Sequence, residues 1–268
     1  MEIYNQLSPV YDKIYLQNIQ NFQDRLEKTW EGDDSWFIDF YPSFGIKRNE
    51  KCDLLFYGQA LKGWAAGFDV YTETPQDKIL NSVFTSNKYF AKLSHTPLDW
   101  VNVRYSNSTF NSIAADKEAD LFYSDGTNYR TFRSFFWNVV SRFTSDFYGL
   151  DRDSWDWSKK IVWSNLYKIA PDGENPNDFL CEQQLKTSVE LVRQEIEELK
   201  PKYCIFLTNS PWWAPFKNLL GSKNIPYDKE LETILSYEQF FDTKFIIMTR
   251  PFIGNPENHV SDLLKLIG

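Results

Sequence analysis

The run Lys160-Ile161-Val162-Trp163, continuing as Ser164-Asn165-Leu166-Tyr167-Lys168-Ile169-Ala170-Pro171, decides how this chain folds. Its opening is apolar, β-branched and aromatic behind a charged lead-in, which is the composition of a strand buried on both faces. Downstream, Asn175 can cap a helix, Pro176 suits its first turn, and Leu185, Val189, Val192, Ile196 and Leu199 form one apolar stripe. Lys200-Pro201 stops it. A buried strand feeding an amphipathic helix is the building unit of a parallel sheet.

Three more runs of the same kind lie outward from this one: Asp53 to Tyr57, Tyr203 to Leu207, and Lys244 to Met248. Further helices are expected at about 5–28, about 129–147 and about 214–220. Strands separated by helices require right-handed crossovers, with helices on both faces of the sheet. The expected fold is therefore a three-layer α/β/α sandwich around a central, mainly four-stranded parallel sheet. No repeat or Gly/Ser linker divides residues 1–268, so one domain is expected, with an N-terminal helical extension (about 1–50) and an insertion (about 71–126).

Composition removes several kinds of chemistry. Lys plus Arg is 29 against 37 Asp plus Glu, a net charge of −8, which excludes a uniformly basic nucleic-acid coat but leaves room for a local basic cleft. Cys52, Cys181 and Cys204 form no C-x-x-C pair, and His95 and His259 are the two histidines, so neither a metal centre nor a cofactor is expected. No apolar run reaches the roughly 20 residues that span a bilayer, and the first residues lack the blocks of a secretory signal. A cytoplasmic protein without a membrane partner is expected. Asn107-Ser108-Thr109 then reads as a chance glycosylation triplet.

In open α/β sheets ligands bind outside the carboxyl ends of the strands. Those ends here are Gly58-Gln59-Ala60, Ser164-Asn165, Thr208-Asn209-Ser210 and Thr249-Arg250-Pro251. Gln59, Asn165 and Asn209 each pair an amide donor with a carbonyl acceptor, which suits the edge of a base, although strand-end amides also cap backbone groups. Gly58, Gly63 and Gly67 lack dinucleotide spacing, Lys62-Gly63-Trp64 is no P-loop, and Ser210-Pro211 is no nucleophile elbow.

Together these residues resemble the uracil-DNA glycosylase superfamily over about 52–268. Leu54-Leu55-Phe56-Tyr57-Gly58-Gln59-Ala60 is similar to its strand ending in G-Q-D-P or G-E-A-P, and Trp163 to Pro171 to its T-N-x-x-K-x-x-P strand. Arg250-Pro251 stands where that family has His-Pro. The resemblance implies a base flipped out of the stack, read at its edge and stacked on an aromatic ring. It assigns base binding to Gly58, Ala60 and Asn165, with Phe68 preferred over Trp64 and Tyr71 for stacking, and Gln59 and Arg250 as catalytic candidates. Phe252 and Ile253 would form an apolar wedge, and Lys62, Lys168 and Arg250 a basic strip, with affinity falling steeply as salt rises. The implied partner is nucleic acid, DNA in preference to RNA, or a free nucleobase.

The departures bear on catalysis. The carboxylate of the most familiar branch is replaced by Ala60, which cannot polarise water, and the catalytic His by Arg250, which stabilises an oxyanion but shuttles no proton. Three functions stay open: hydrolysis of the N-glycosidic bond of a modified base, base binding without turnover, and a protein-interaction role for the aromatic and acidic surface.

Overall fold

The computed structural model describes residues 7–29, 36–47, 49–60, 67–69, 98, 101, 134–154, 156–250 and 255–268. The expected insertion falls outside these residues except for Leu98 and Val101, as do Lys62, Trp64, Tyr71, Phe252 and Ile253.

The fold is mixed α/β. Its larger sheet holds the four expected strands, observed as β3 (Leu54–Gly58), β5 (Ile161–Asn165), β7 (Tyr203–Phe206) and β10 (Thr243–Met248). They lie parallel in the order β5-β3-β7-β10. This sheet is not merely four-stranded: β2 (Ser43–Phe44) adds antiparallel beside β5, and β9 (Ile234–Phe240) and β8 (Lys223–Asn224) continue it beyond β10. A second, antiparallel sheet joins β4 (Gly67–Asp69), β1 (Trp36–Asp39) and β6 (Ile169–Pro171). Residues 36–44 thus supply strands to both sheets, where only a helical extension was expected.

Side chains alternate along each strand into two cores. Leu55, Tyr57, Cys204 and Phe206 join helices α1 (Pro9–Thr29), α3 (Asp178–Leu199) and α4 (Ser210–Leu220) in one cluster. Leu54, Phe56, Ile205 and Leu207 join α2 (Phe135–Tyr148) and α5 (Pro256–Ile267) in the other. Tyr57 and Phe206 stack across β3 and β7 with ring centres 4.7 Å apart.

The helix ends follow local chemistry. Ser134 caps α2 by accepting from Trp137 N–H, and Gly149, at φ 63, closes it in the left-handed region. Asn177, rather than Asn175, caps α3 by accepting from Leu180 N–H at 2.9 Å. The α3 stripe packs as expected at Val189, Val192, Ile196 and Leu199, but Glu195 is equally buried on that helix. α1 is no loose appendage, since Tyr11, Tyr15, Ile19, Phe22 and Leu26 are all fully buried. Ser8 binds Glu198 through both its N–H and its hydroxyl at 2.6 Å, tying α1 to α3. No helix among the described residues is long and apolar enough to cross a membrane.

Candidate functional site

The parallel strand order reverses between β3 and β7, which makes their carboxyl ends the switch point of the sheet. Gln59 bridges it: the buried side chain donates from Nε2 to the Thr208 carbonyl at 2.8 Å. The Gly58 and Gln59 carbonyls are taken by Leu166 N–H (3.0 Å) and Tyr167 N–H (3.1 Å). The ends of β3, β5 and β7 are therefore laced into one edge.

Asn165 lies directly opposite Gly58 in the β3–β5 register. It is 1% exposed, and its Nδ2 is buried without a hydrogen-bond partner. A buried amide donor left unmade costs about 1–3 kcal/mol, so this N–H calls for an acceptor, from water or from a ligand; the Thr208 hydroxyl at the neighbouring tip is likewise buried without a partner. A side chain at position 58 would displace the Asn165 amide, because a Cβ there would stand 2.3 Å from Asn165 Oδ1 and 3.9 Å from Phe136 Cε2. Oδ1 is the amide atom turned toward Gly58, and Nδ2 is enclosed without a partner.

Phe136 is the aromatic that approaches Gly58, its Cε2 lying 3.9 Å from where a Cβ on that glycine would stand. It occupies the first turn of α2, is partly buried, and packs edge-on against Trp137 and tilted against Trp163, with ring centres 5.0 and 6.3 Å away. Sequence reasoning missed it because 78 positions separate it from Gly58 (136 − 58). The available signal was the Ser134 cap, which fixes where the helix begins. Phe68, the preferred stacking candidate, is instead a core side chain: it is 0% exposed and packs against Phe37 across the small sheet. A fully enclosed ring offers no face to a ligand. Ala60 is partly buried and touches both cores.

Lys168 corrects the expected basic strip. Its ammonium is fully enclosed, pairing with Glu195 at 2.6 Å and donating to Ser164 Oγ and to the Asn165 carbonyl at 2.7 Å. It cannot reach a phosphate. Glu195 also accepts from the Tyr11 and Tyr57 hydroxyls, each at 2.7 Å. Burial lowers the Lys168 ammonium from its ordinary value against the opposing pull of Glu195, and burial first, Glu195 second, raises both phenols.

The fourth tip is held from two sides. Asn209, at φ 68, accepts from Arg250 N–H through Oδ1 and leaves α4 without a side-chain cap. His259 Nε2 lies 3.0 Å from both Thr249 Oγ1 and the Thr249 carbonyl, and its buried Nδ1 has no partner. Burial lowers the imidazole from its ordinary 6.5. Arg250 is partly buried, which lowers its guanidinium too. None of the described strand tips (58–60, 164–165, 208–210, 249–250) bears a carboxylate. Among the described residues, no group of three or more His, Cys, Asp and Glu side chains could hold a metal ion.

No protein-family model matches the chain, and no curated protein matches it in sequence.

Proposed function

We propose that this protein binds a nucleobase in nucleic acid, as a diverged uracil-DNA-glycosylase-like module whose layers form a three-layer α/β/α sandwich. The observation that carries the reading is the buried, unpartnered Asn165 amide beside Gly58 and Phe136. A free N–H donor calls for a carbonyl on the ligand edge, and the Phe136 ring supplies a planar apolar neighbour. A carbonyl at the position of uracil O4 or hypoxanthine O6 would accept from this donor, whereas the amino group that replaces it in cytosine or adenine would not, so an oxo-base is the favoured ligand class. DNA is the favoured carrier, and the cytoplasm the favoured compartment.

Binding without turnover is the better supported half of this reading. Ala60 supplies no carboxylate, and the Gln59 amide, which donates to the Thr208 carbonyl, carries no charge and no titratable proton. Arg250 would neutralise developing or phosphate charge without moving a proton. The protein-interaction reading has less support: among the described residues the exposed large aromatics are Trp36 and Phe241, on separate elements.

The test uses single-stranded oligodeoxynucleotides carrying one uracil, hypoxanthine, cytosine or adenine, with fluorescence anisotropy for binding and alkaline cleavage for base release. The expected result is tighter binding of the oxo-base in each pair. Equal affinity for all four would contradict the reading, and alkali-labile product would restore hydrolysis.

A further inference from the structure

The peptide unit between Asn165 and Leu166 is held at both ends. Its N–H, on Leu166, donates to the Gly58 carbonyl at 3.0 Å, and its C=O, on Asn165, accepts from Lys168 Nζ at 2.7 Å. A strand that ends at Asn165 has no further ladder partner for that carbonyl, so the ammonium takes the place of one.

All three donors of Lys168 are committed: to Asn165 O, to Ser164 Oγ and to Glu195 Oε1. Glu195 in turn is fixed by Tyr11 from α1 and Tyr57 from β3. The chain of contacts therefore runs from two helices and a neighbouring strand to one carbonyl, and that carbonyl belongs to the residue whose amide is unpartnered. Pinning both ends of a peptide plane fixes the Cα–Cβ direction at Asn165, and a buried, fully satisfied network holds it rigidly.

We propose that Lys168 is a positioning residue, which aims the Asn165 amide at the bound base by clamping the Asn165 carbonyl. The assignment rests on the base-reading role of Asn165. Lys168 touches no ligand itself, so its removal should loosen discrimination without altering the charge seen by nucleic acid.

The test uses the full chain as Lys168→Met/Glu195→Leu, which removes the ion pair as a pair and leaves no uncompensated charge. Lys168→Met alone serves as the second variant, and circular dichroism establishes that each is folded at the assay temperature. The probes are the uracil and cytosine oligodeoxynucleotides. The expected result is an affinity for the uracil probe about tenfold lower in the double variant, with its preference over cytosine diminished, the scale of one misaligned hydrogen bond. Adding Asn165→Ala to that background should then cost less than it does in the wild type, because the two sites are coupled. A folded double variant with wild-type preference, or full additivity with Asn165→Ala, overturns the assignment to Lys168 alone. A wild-type protein indifferent to the base overturns the base-reading role of Asn165, and the positioning role falls with it.

Discussion

Gln59 Nε2 donates to the Thr208 carbonyl across the point where the sheet reverses its strand order. The bond joins the tips of β3 and β7 and takes up one of the two N–H donors of the Gln59 amide. Gln59→Ala would leave a buried carbonyl unsatisfied, at a cost of about 1–3 kcal/mol. Urea unfolding should show a lower midpoint at unchanged slope. Unchanged stability would mean that water replaces the amide and the tips are not laced by it.

Gly58→Ala tests the close approach of β3 to Asn165. The new methyl would sit 2.3 Å from Oδ1, so the amide must turn away. The cost to stability is that of overpacking, about 1–3 kcal/mol, and preference for an oxo-base should disappear. Retained preference in a folded variant would show that Asn165 reads nothing from its present rotamer.

The two phenylalanines should separate by assay. Phe68→Ala removes a fully buried ring and should cost about 3–5 kcal/mol of stability, with ligand affinity preserved at temperatures where the variant is folded. Phe136→Ala should cost about 1–3 kcal/mol of binding, the worth of a base–aromatic stack, with a smaller loss in thermal denaturation. The opposite pattern would return the stacking role to Phe68.

His259 gives a pH dependence of defined sign. Its imidazole is lowered by burial in the folded protein, so the unfolded chain takes up the proton first. Stability contributed by the neutral ring is complete above the ordinary value of 6.5 and is lost as pH falls below it. Urea midpoints measured from about pH 8 down to about pH 5 should decline more in the wild type than in His259→Gln, which cannot titrate. Parallel declines would assign the acid sensitivity to other groups.

The buried pair of Lys168 and Glu195 makes an asymmetric stability prediction. Lys168→Met alone strands a carboxylate and should cost about 3–5 kcal/mol, whereas removing both charges should cost much less. Equal losses would mean that the pair is net stabilising. The salt slope of oligonucleotide binding should not change in the double variant, since an enclosed ammonium releases no counterion.

The legible part of the fold was the part written in long apolar runs. β3, β5, β7 and β10 announced themselves because central parallel strands are buried on both faces, and α3 because its stripe persists over four turns. β9 was hidden: Ile234–Phe240 places Glu238 at a fully buried position, where Trp213, Lys217, Ser222 and Ser236 satisfy it. The small sheet is built of strands of three or four residues, too short to show a period.

The site divided along the same line. Gly58, Gln59 and Asn165 could be chosen as candidates from the sequence because ligands bind at strand ends in open α/β sheets. The position of Phe136 was not legible there, since only the packing of α2 brings it to Gly58 of β3. The burial of Lys168 was not either, because its partner Glu195 stands 27 positions on (195 − 168), on another element.

The central claim is that the unpartnered amide of Asn165 takes a carbonyl on the ligand. Titration of wild type and Asn165→Ala with the uracil and cytosine probes measures it directly. Loss of the uracil preference, with affinity falling about tenfold toward that for cytosine, is the result predicted for one hydrogen bond to the base. An Asn165→Ala protein that binds and discriminates like the wild type would contradict it.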